Sequence, residues 1–293
     1  MVSVGAPPTE TLPIELPPQV AVPPKRLSPS AADTFRQCPR RWRFRYVERR
    51  AEPPGEAAVV GRFAHRALEL LLAEAPVDRT IDRARELARH AWPETEDTDD
   101  FRELALDETA ARAFRWRGWQ AIEGLWTVED PTKVNVDATE QALQAELGGV
   151  PFLGIVDRVD RTDAGLIITD YKSGKPPSAR YLDDKLSQVY LYAAAVEAVR
   201  GDRPARVRLL YLGQRCVEVA ARPDRVHQAV DQLRSTWDAL LAACESDDFE
   251  PRTGPLCGWC PHVADCPEGH SEVSMRIESG RMRSDAPAVS LVA

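Results

Sequence analysis

Two short stretches restrict this chain more than anything else in it. Gly154-Ile155-Val156-Asp157-Arg158-Val159-Asp160 and Ile168-Thr169-Asp170-Tyr171-Lys172-Ser173-Gly174 both read as β-strands, separated by the turn residues Asp163-Ala164-Gly165. A hairpin folded at that turn brings Asp157 and Asp170 near each other. Side chains alternate along a strand, so Asp170 and Lys172 point to the same face. Two carboxylates and a lysine at a strand end suit a hard divalent cation, which takes oxygen ligands and keeps several waters. Such a cation lowers the pKa of a bound water and stabilises charge on a phosphate, while Lys172 orients the nucleophile or neutralises the transition state. An isolated Asp-x-Lys on a strand is more often a surface salt bridge. The apolar lead-in Leu166-Ile167-Ile168 argues otherwise, because it carries Asp170 out of a buried strand.

Around the hairpin, the pattern alternates between helical and strand periods. Residues 1–26 are rich in proline without apolar periodicity and read as a disordered arm. Ser28-Pro29 opens a helix, with Pro39 as a kink or break before Val47. Further helices fit Gly61–Glu74, Ile81–Trp92 and Phe101–Trp126, with an acidic loop between the last two. Strands are expected at Val134–Leu147, Val150–Arg161, Leu166–Tyr171, Ala205–Leu212 and Cys216–Ala221, and helices at Leu182–Val199 and Arg225–Ala243. The expected fold is α/β: a mixed central sheet flanked by helices, with a helical insertion over about 76–130. Residues 27–269 form the single expected domain, and 270–293 read as a flexible tail.

Other residues bear on chemistry with weaker signals. His65 lies in an otherwise apolar helix, where a lone histidine is more often structural than a ligand. Gln188 and Tyr192 share one helix face at i, i+4. Glu140 precedes the hairpin and is a further candidate ligand. Cys257-x2-Cys260-x5-Cys266 places three thiols in one loop, and a fourth ligand would come from Cys38, Cys216 or Cys244. Cys216 and Cys244 read as small core or boundary residues. Spacing alone does not separate zinc from an iron–sulfur cluster. Finally, Arg36, Arg40, Arg41, Arg43, Arg45, Arg49 and Arg50 interleave with Phe35, Trp42, Phe44 and Tyr46. Only Glu48 opposes them between residues 36 and 50, in a chain whose net charge is -8. Arginines pair with phosphates and aromatics stack on unpaired bases, so the segment is a candidate DNA contact; the competing reading is a core aromatic set under a solvated arginine face.

Taken in order, Leu27-Ser28-Pro29-Ser30 with Gln37-Cys38-Pro39, Gly61-x3-His65, Gly154-Ile155-Val156-Asp157-Arg158, Asp170-Tyr171-Lys172-Ser173-Gly174, Gln188-x3-Tyr192 and the cysteine loop resemble the RecB-type branch of the PD-(D/E)XK nuclease superfamily. Within it they are similar to the iron–sulfur members, the AddB-like and exonuclease V-like nucleases. The resemblance implies a restriction-endonuclease-like core closed by an iron–sulfur loop at 254–267. It implies His65, Asp157, Asp170 and the Tyr171 carbonyl as ligands of Mg²⁺ or Mn²⁺, and Lys172 as the catalytic lysine, supported by Gln188 and Tyr192. It further implies Cys38, Cys257, Cys260 and Cys266 as ligands of a 4Fe–4S cluster, with zinc the rival occupant; the DNA channel expected from the basic segment itself is Arg36, Arg40, Arg41, Arg43 and Arg45 together with the helical insertion. Ser173 stands where threonine is commoner in that family.

These readings make the chain a metal-dependent DNA exonuclease acting on single strands or ends in repair or recombination. The competing reading is a non-catalytic, DNA-end-binding or scaffolding iron–sulfur protein, against which the intact acidic set and Lys172 count. No Gly-x4-Gly-Lys-Ser/Thr loop is present, so an ATP-driven motor would have to be a separate helicase or repair partner. The acidic balance, 46 Asp plus Glu against 38 Lys plus Arg, excludes a uniformly cationic nucleic-acid coat but not a local basic patch. No apolar run nears the ~20 residues that span a bilayer and no secretory pattern opens the chain, so a cytoplasmic location is expected and membrane partners are not.

Overall fold

The computed structural model describes residues 21–292. At its centre is one five-stranded sheet in sequential order: β1 (Val136–Leu147), β2 (Val150–Thr162), β3 (Gly165–Lys172), β4 (Arg206–Tyr211) and β5 (Arg215–Ala220). β1, β2 and β3 form an antiparallel meander, β3 and β4 pair in parallel, and β5 returns antiparallel to β4. Gly148 and Gly149, with φ of 58° and 84°, make the two-residue β1–β2 turn, whose twist demands positive φ at both positions. β3 is buried from Leu166 to Tyr171 because helices cover both of its faces.

The parallel step from β3 to β4 needs a crossover, supplied by α8 (Leu182–Arg200). α8 carries apolar residues nearly all round because it lies between the sheet and α9 (Pro223–Ser246). On the other side stand α3 (Glu56–Ala73), α4 (Ile81–Glu96), α5 (Asp99–Glu103), α6 (Glu108–Glu123) and α7 (Leu125–Val128). The apolar stripes of α3, α4, α6 and α7 meet Tyr171, Leu210 and Leu212 in a second core, while Phe101 of α5 packs on Phe114 and Trp92. The mixed sheet with flanking helices and a helical segment before β1 is the architecture expected from the sequence. Among the described residues, no helix is long and apolar enough to cross a membrane.

Several boundaries differ. The single helix expected over Phe101–Trp126 is three. Ala105, at φ 47°, ends the first, and the Asp107 carboxylate caps α6 by accepting from the Ala110 N–H. The expected acidic loop is partly helical, since Glu94 and Glu96 lie in the last turn of α4 and Glu94 is held by Arg66. The Ser28-capped helix α1 (Pro29–Gln37) does break at Pro39, and α2 (Pro39–Trp42) runs into a π-helical turn at Arg43–Val47. Residues 270–293, expected as tail, instead contain most of α10 (Pro267–Glu278) and α11 (Val289–Val292). Val273 and Ala288 bury against Val263, and the Ala288 N–H donates to the Gly258 carbonyl. The proline-rich arm expected at 1–26 lies mostly outside the described residues. Its Ala21 is buried in a small core with Phe35, Trp42 and Phe249.

Two buried arginines tie the helical segment to the sheet. Arg79 donates to the carbonyls of Leu72, Glu74, Pro131 and Val134, joining the end of α3 to the lead-in of β1. Arg158 is 0% exposed and engages both carboxylate oxygens of Glu129, the Tyr171 hydroxyl at 2.8 Å and Asp160 at 2.8 Å. Arg208 continues the network to Glu129 and Glu218. The fixed fork of a guanidinium suits such multidentate pairing.

Candidate active site

β2 and β3 pair only as far as Arg158–Thr169. One step further, at Asp157 and Asp170, the ladder has ended. The Asp157 carboxylate accepts from the Tyr171 backbone N–H at 2.7 Å, which fixes that carboxylate between the strands. Asp170 and Lys172 share a face, as alternation requires, and α8 covers it. Lys172 Nζ lies 2.6 Å from Asp170 Oδ2 and donates to Gln188 Oε1 at 3.3 Å. Gln188 Nε2 donates to Asp170 Oδ1 at 3.1 Å and to the Tyr192 hydroxyl at 2.7 Å. The i, i+4 pair on α8 therefore positions both members of the Asp-x-Lys motif. Two glycines make the approach possible. A Cβ at Gly154 would sit 2.7 Å from the Tyr192 ring, and one at Gly61 would sit 3.1 Å from Ser173 Oγ.

α3 brings His65 to the same place, with Nδ1 3.5 Å from Asp157 Oδ2 and its ring edge-on to Tyr171. Glu140 joins from β1. It occupies a left-handed backbone conformation at φ 44°, a strained state for a non-glycine residue that is held where surroundings require it. Among the described residues, His65, Glu140 and Asp157 offer ligand atoms all within 4.8 Å of one another. Asp170 lies against this group. One nitrogen and a carboxylate-rich set, with Asp170 Oδ2 buried and met by the Lys172 ammonium, fit a hard divalent cation.

Electrostatics agree with that fit. Burial, then the neighbouring Asp157, pushes Glu140 up to about 7. Burial likewise raises Asp170 to about 6, with the Lys172 charge only partly offsetting it. Burial would lower His65 and Lys172, but Asp157 and Asp170 respectively outweigh it, and both bases are raised. Lys172 is thus held as an ammonium.

A family model for the PD-(D/E)XK nuclease superfamily matches residues 26–267, and no curated protein sequence matches the chain. The chain belongs to the PD-(D/E)XK nuclease superfamily. Membership implies metal-dependent phosphodiester hydrolysis.

The nuclease holds two further groups of sequence-singled residues. Cys38, Cys257, Cys260 and Cys266 line one cavity of about 40 Å³, together with Arg40 and Arg41. Burial pushes the Cys257, Cys260 and Cys266 thiols up. No three of these sulfurs fall within 4.8 Å of one another. Cys244 is buried elsewhere, beside Leu240 and Phe249. Cys216, expected as a core or boundary residue, is exposed on the edge strand β5.

The arginine segment is heavily paired. Arg36 meets Asp33, Arg41 and Arg45 share Glu52, Arg43 takes Glu48 and Asp247, and Arg50 takes Glu48 and Asp265. Arg40 donates to the Phe249 carbonyl. Trp42 stacks on Phe249, and Phe44 meets His262 edge-on. The local positive charge expected to face DNA is largely offset within the protein; Phe35, Trp42 and Phe44 are core, and Tyr46 is exposed. These side chains brace the wall of the cysteine cavity.

Thermal stability of the metal-free nuclease carries the signature of the acidic site. Glu140, Asp170 and His65 bind protons more tightly folded than unfolded, so their contribution is complete below about pH 4 and is lost as pH rises through about 7. Melts in EDTA should show stability falling between pH 5 and 7.5, by on the order of 1–3 kcal/mol. Glu140→Gln should flatten that slope; an unchanged slope would show that Glu140 does not titrate there.

Proposed function

We propose that this nuclease is a RecB-type deoxyribonuclease that degrades DNA exonucleolytically from single strands or ends, in repair or recombination. The observation that carries the reading is the convergence of His65, Glu140, Asp157 and Asp170 with an ammonium, Lys172, held by Gln188. His65, Asp157, Asp170 and the Tyr171 carbonyl, with Glu140 added, would hold Mg²⁺ or Mn²⁺. When bound, the cation supplies Lewis-acid stabilisation of the scissile phosphate and a water of lowered pKa.

The chain's own groups do the rest. Lys172, charged and anchored between Asp170 and Gln188, offsets negative charge developing on the phosphate, and its raised pKa suits it to this role and not to that of a base. Gln188 fixes the ammonium, and Tyr192 fixes Gln188. Asp157, tethered by the Tyr171 N–H, keeps the site open between the splayed strands.

Cys38, Cys257, Cys260 and Cys266 would hold a 4Fe–4S cluster that joins the start of the domain, near residue 27, to its end, near 269. Cys38 and the three loop cysteines line one cavity, which supports the set, and zinc is the rival occupant. Cysteine substitution should therefore bleach an anaerobically purified brown protein.

Linear and covalently circular single strands of the same sequence test the exonuclease reading. The linear form should vanish to short products in Mg²⁺ or Mn²⁺ while the circle persists. Cleavage of the circle at a comparable rate would make the enzyme an endonuclease, and equal action on RNA would remove the DNA preference.

A further inference from the structure

The helical segment carries a groove that the catalytic site does not use. Along α6, Arg112, Arg115, Trp116, Trp119 and Glu123 recur at spacings of three and four, which places them on one face. Along α4, Arg85, Arg89 and Trp92 do the same. The two faces line a common open cavity of about 620 Å³, floored by Phe63. Its composition is unusual for a chain of net charge -8: four guanidiniums against one carboxylate, with three indoles between them.

Two of the guanidiniums are already poised over rings, Arg85 at 4.8 Å from the Trp119 centroid and Arg115 at 5.2 Å from that of Trp92. Arg85 and Arg112 have exposed partners within their own helices, Asp82 and Glu108. Arg89 and Arg115 form no ion pair among the described residues and are exposed. Trp116 is 58% exposed, which leaves a large aromatic face in water. Alternating arginines and open indoles match an unpaired nucleic-acid strand, whose phosphates take guanidiniums and whose bases stack on aromatic faces. An apolar partner would not account for the charge, and a duplex would present no free base to Trp116.

The groove also leads toward the chemistry. Glu123 lines both this cavity and a second one, of about 730 Å³, whose wall includes Gln120, Arg117 and Ser173. Ser173 directly follows Lys172. Phe63 stands two residues before His65 on α3.

We propose that the α4–α6 groove is a single-strand binding site, in which bases stack on Trp116 and Trp119 and phosphates pair with Arg89 and Arg115, holding the strand whose end occupies the Asp170–Lys172 site. The proposal rests on the nuclease reading and adds the path of the substrate to it.

The test uses the full chain in EDTA, so that nothing is cut, with a fluorescein-labelled twenty-residue oligothymidylate followed by anisotropy across a salt series. Trp116→Ala should weaken binding by about five- to a hundred-fold, the loss expected for one stacked base. The double variant Arg89→Gln, Arg115→Gln should flatten the dependence of log affinity on log salt by about 1.4, or 0.7 for each phosphate released. Both variants alter exposed side chains and should melt like the wild type. In Mn²⁺, both should cleave thymidine 5′-(p-nitrophenyl phosphate), too short to reach the groove, at the wild-type rate while losing activity on the oligonucleotide. Unchanged affinity and salt slope in variants of a wild type that binds and cuts DNA would overturn the groove and leave the nuclease standing. A wild-type dimer converted to monomer by Trp116→Ala, with oligonucleotide affinity intact, would overturn it in favour of self-association. A wild type inert toward every nucleic acid and toward the small diester would remove the nuclease reading itself.

Discussion

Lys172→Met should slow single-turnover DNA cleavage by about a hundred- to a thousand-fold, the range seen when one preorganised charge-stabilising donor is lost. The side chains are similar in length, so the change removes the ammonium while keeping much of the bulk. Asp170→Asn should fall at least as far, because it removes a buried anionic oxygen beside the metal-ligand group and also the partner that holds Lys172. Neither variant should weaken DNA binding measured in EDTA, since the α4–α6 groove is untouched. Tyr192→Phe should lose much less, because the hydroxyl reaches the reaction only through Gln188. A Lys172→Met enzyme within threefold of wild type would mean that the ammonium is a tether for Asp170 and nothing more.

Arg158→Leu should produce the largest loss of stability of any single substitution outside the site, about 3–5 kcal/mol, as expected when one partner of a buried ion network is removed. Arg158 is the common partner of Glu129, Asp160 and the Tyr171 hydroxyl. Without it, the buried Asp160 carboxylate keeps only Arg208 at 3.7 Å and the Thr169 hydroxyl at 3.4 Å, both on Oδ2. The loss should reach activity too. Arg158 precedes no catalytic atom directly, but Tyr171 lies between Asp170 and Lys172 and is pinned from below by this contact. Urea unfolding followed by circular dichroism measures the effect, and Arg158→Lys should recover only part of it because an ammonium lacks the fork that grips Glu129 with two hydrogen bonds. A loss under 1 kcal/mol would show that water reaches the network.

The strands were legible because their signals are local. Gly148-Gly149 and Asp163-Ala164-Gly165 fix the turns, and alternation fixes which of Asp170, Tyr171 and Lys172 share a face. The i, i+4 relation of Gln188 and Tyr192 was legible for the same reason. What remained hidden depends on long-range partners. Glu140 was legible only as a weak candidate ligand, because nothing near it in sequence announces its positive φ or its neighbour Asp157. The arginines of residues 36–50 looked like a free basic patch because Glu52, Asp247 and Asp265 meet them only after folding. The aromatic groove was not visible in the sequence because Trp92 and Trp116 lie on separate helices and meet only when α4 and α6 pack side by side. The C-terminal stretch read as tail because Val273, Ala286 and Ala288 are few and scattered, yet they find a ready partner in Val263 and the cysteine loop.

The central claim is that the acidic group around Asp157 and Asp170 cuts phosphodiesters with a divalent cation. The most direct measurement incubates anaerobically prepared wild-type protein with end-labelled single- and double-stranded DNA in Mg²⁺, in Mn²⁺ and in EDTA, beside Asp170→Asn. Degradation by the wild type with either cation, abolished by EDTA and absent in Asp170→Asn, is the predicted result. DNA that survives both cations intact, or that Asp170→Asn degrades as fast as wild type, would contradict the claim.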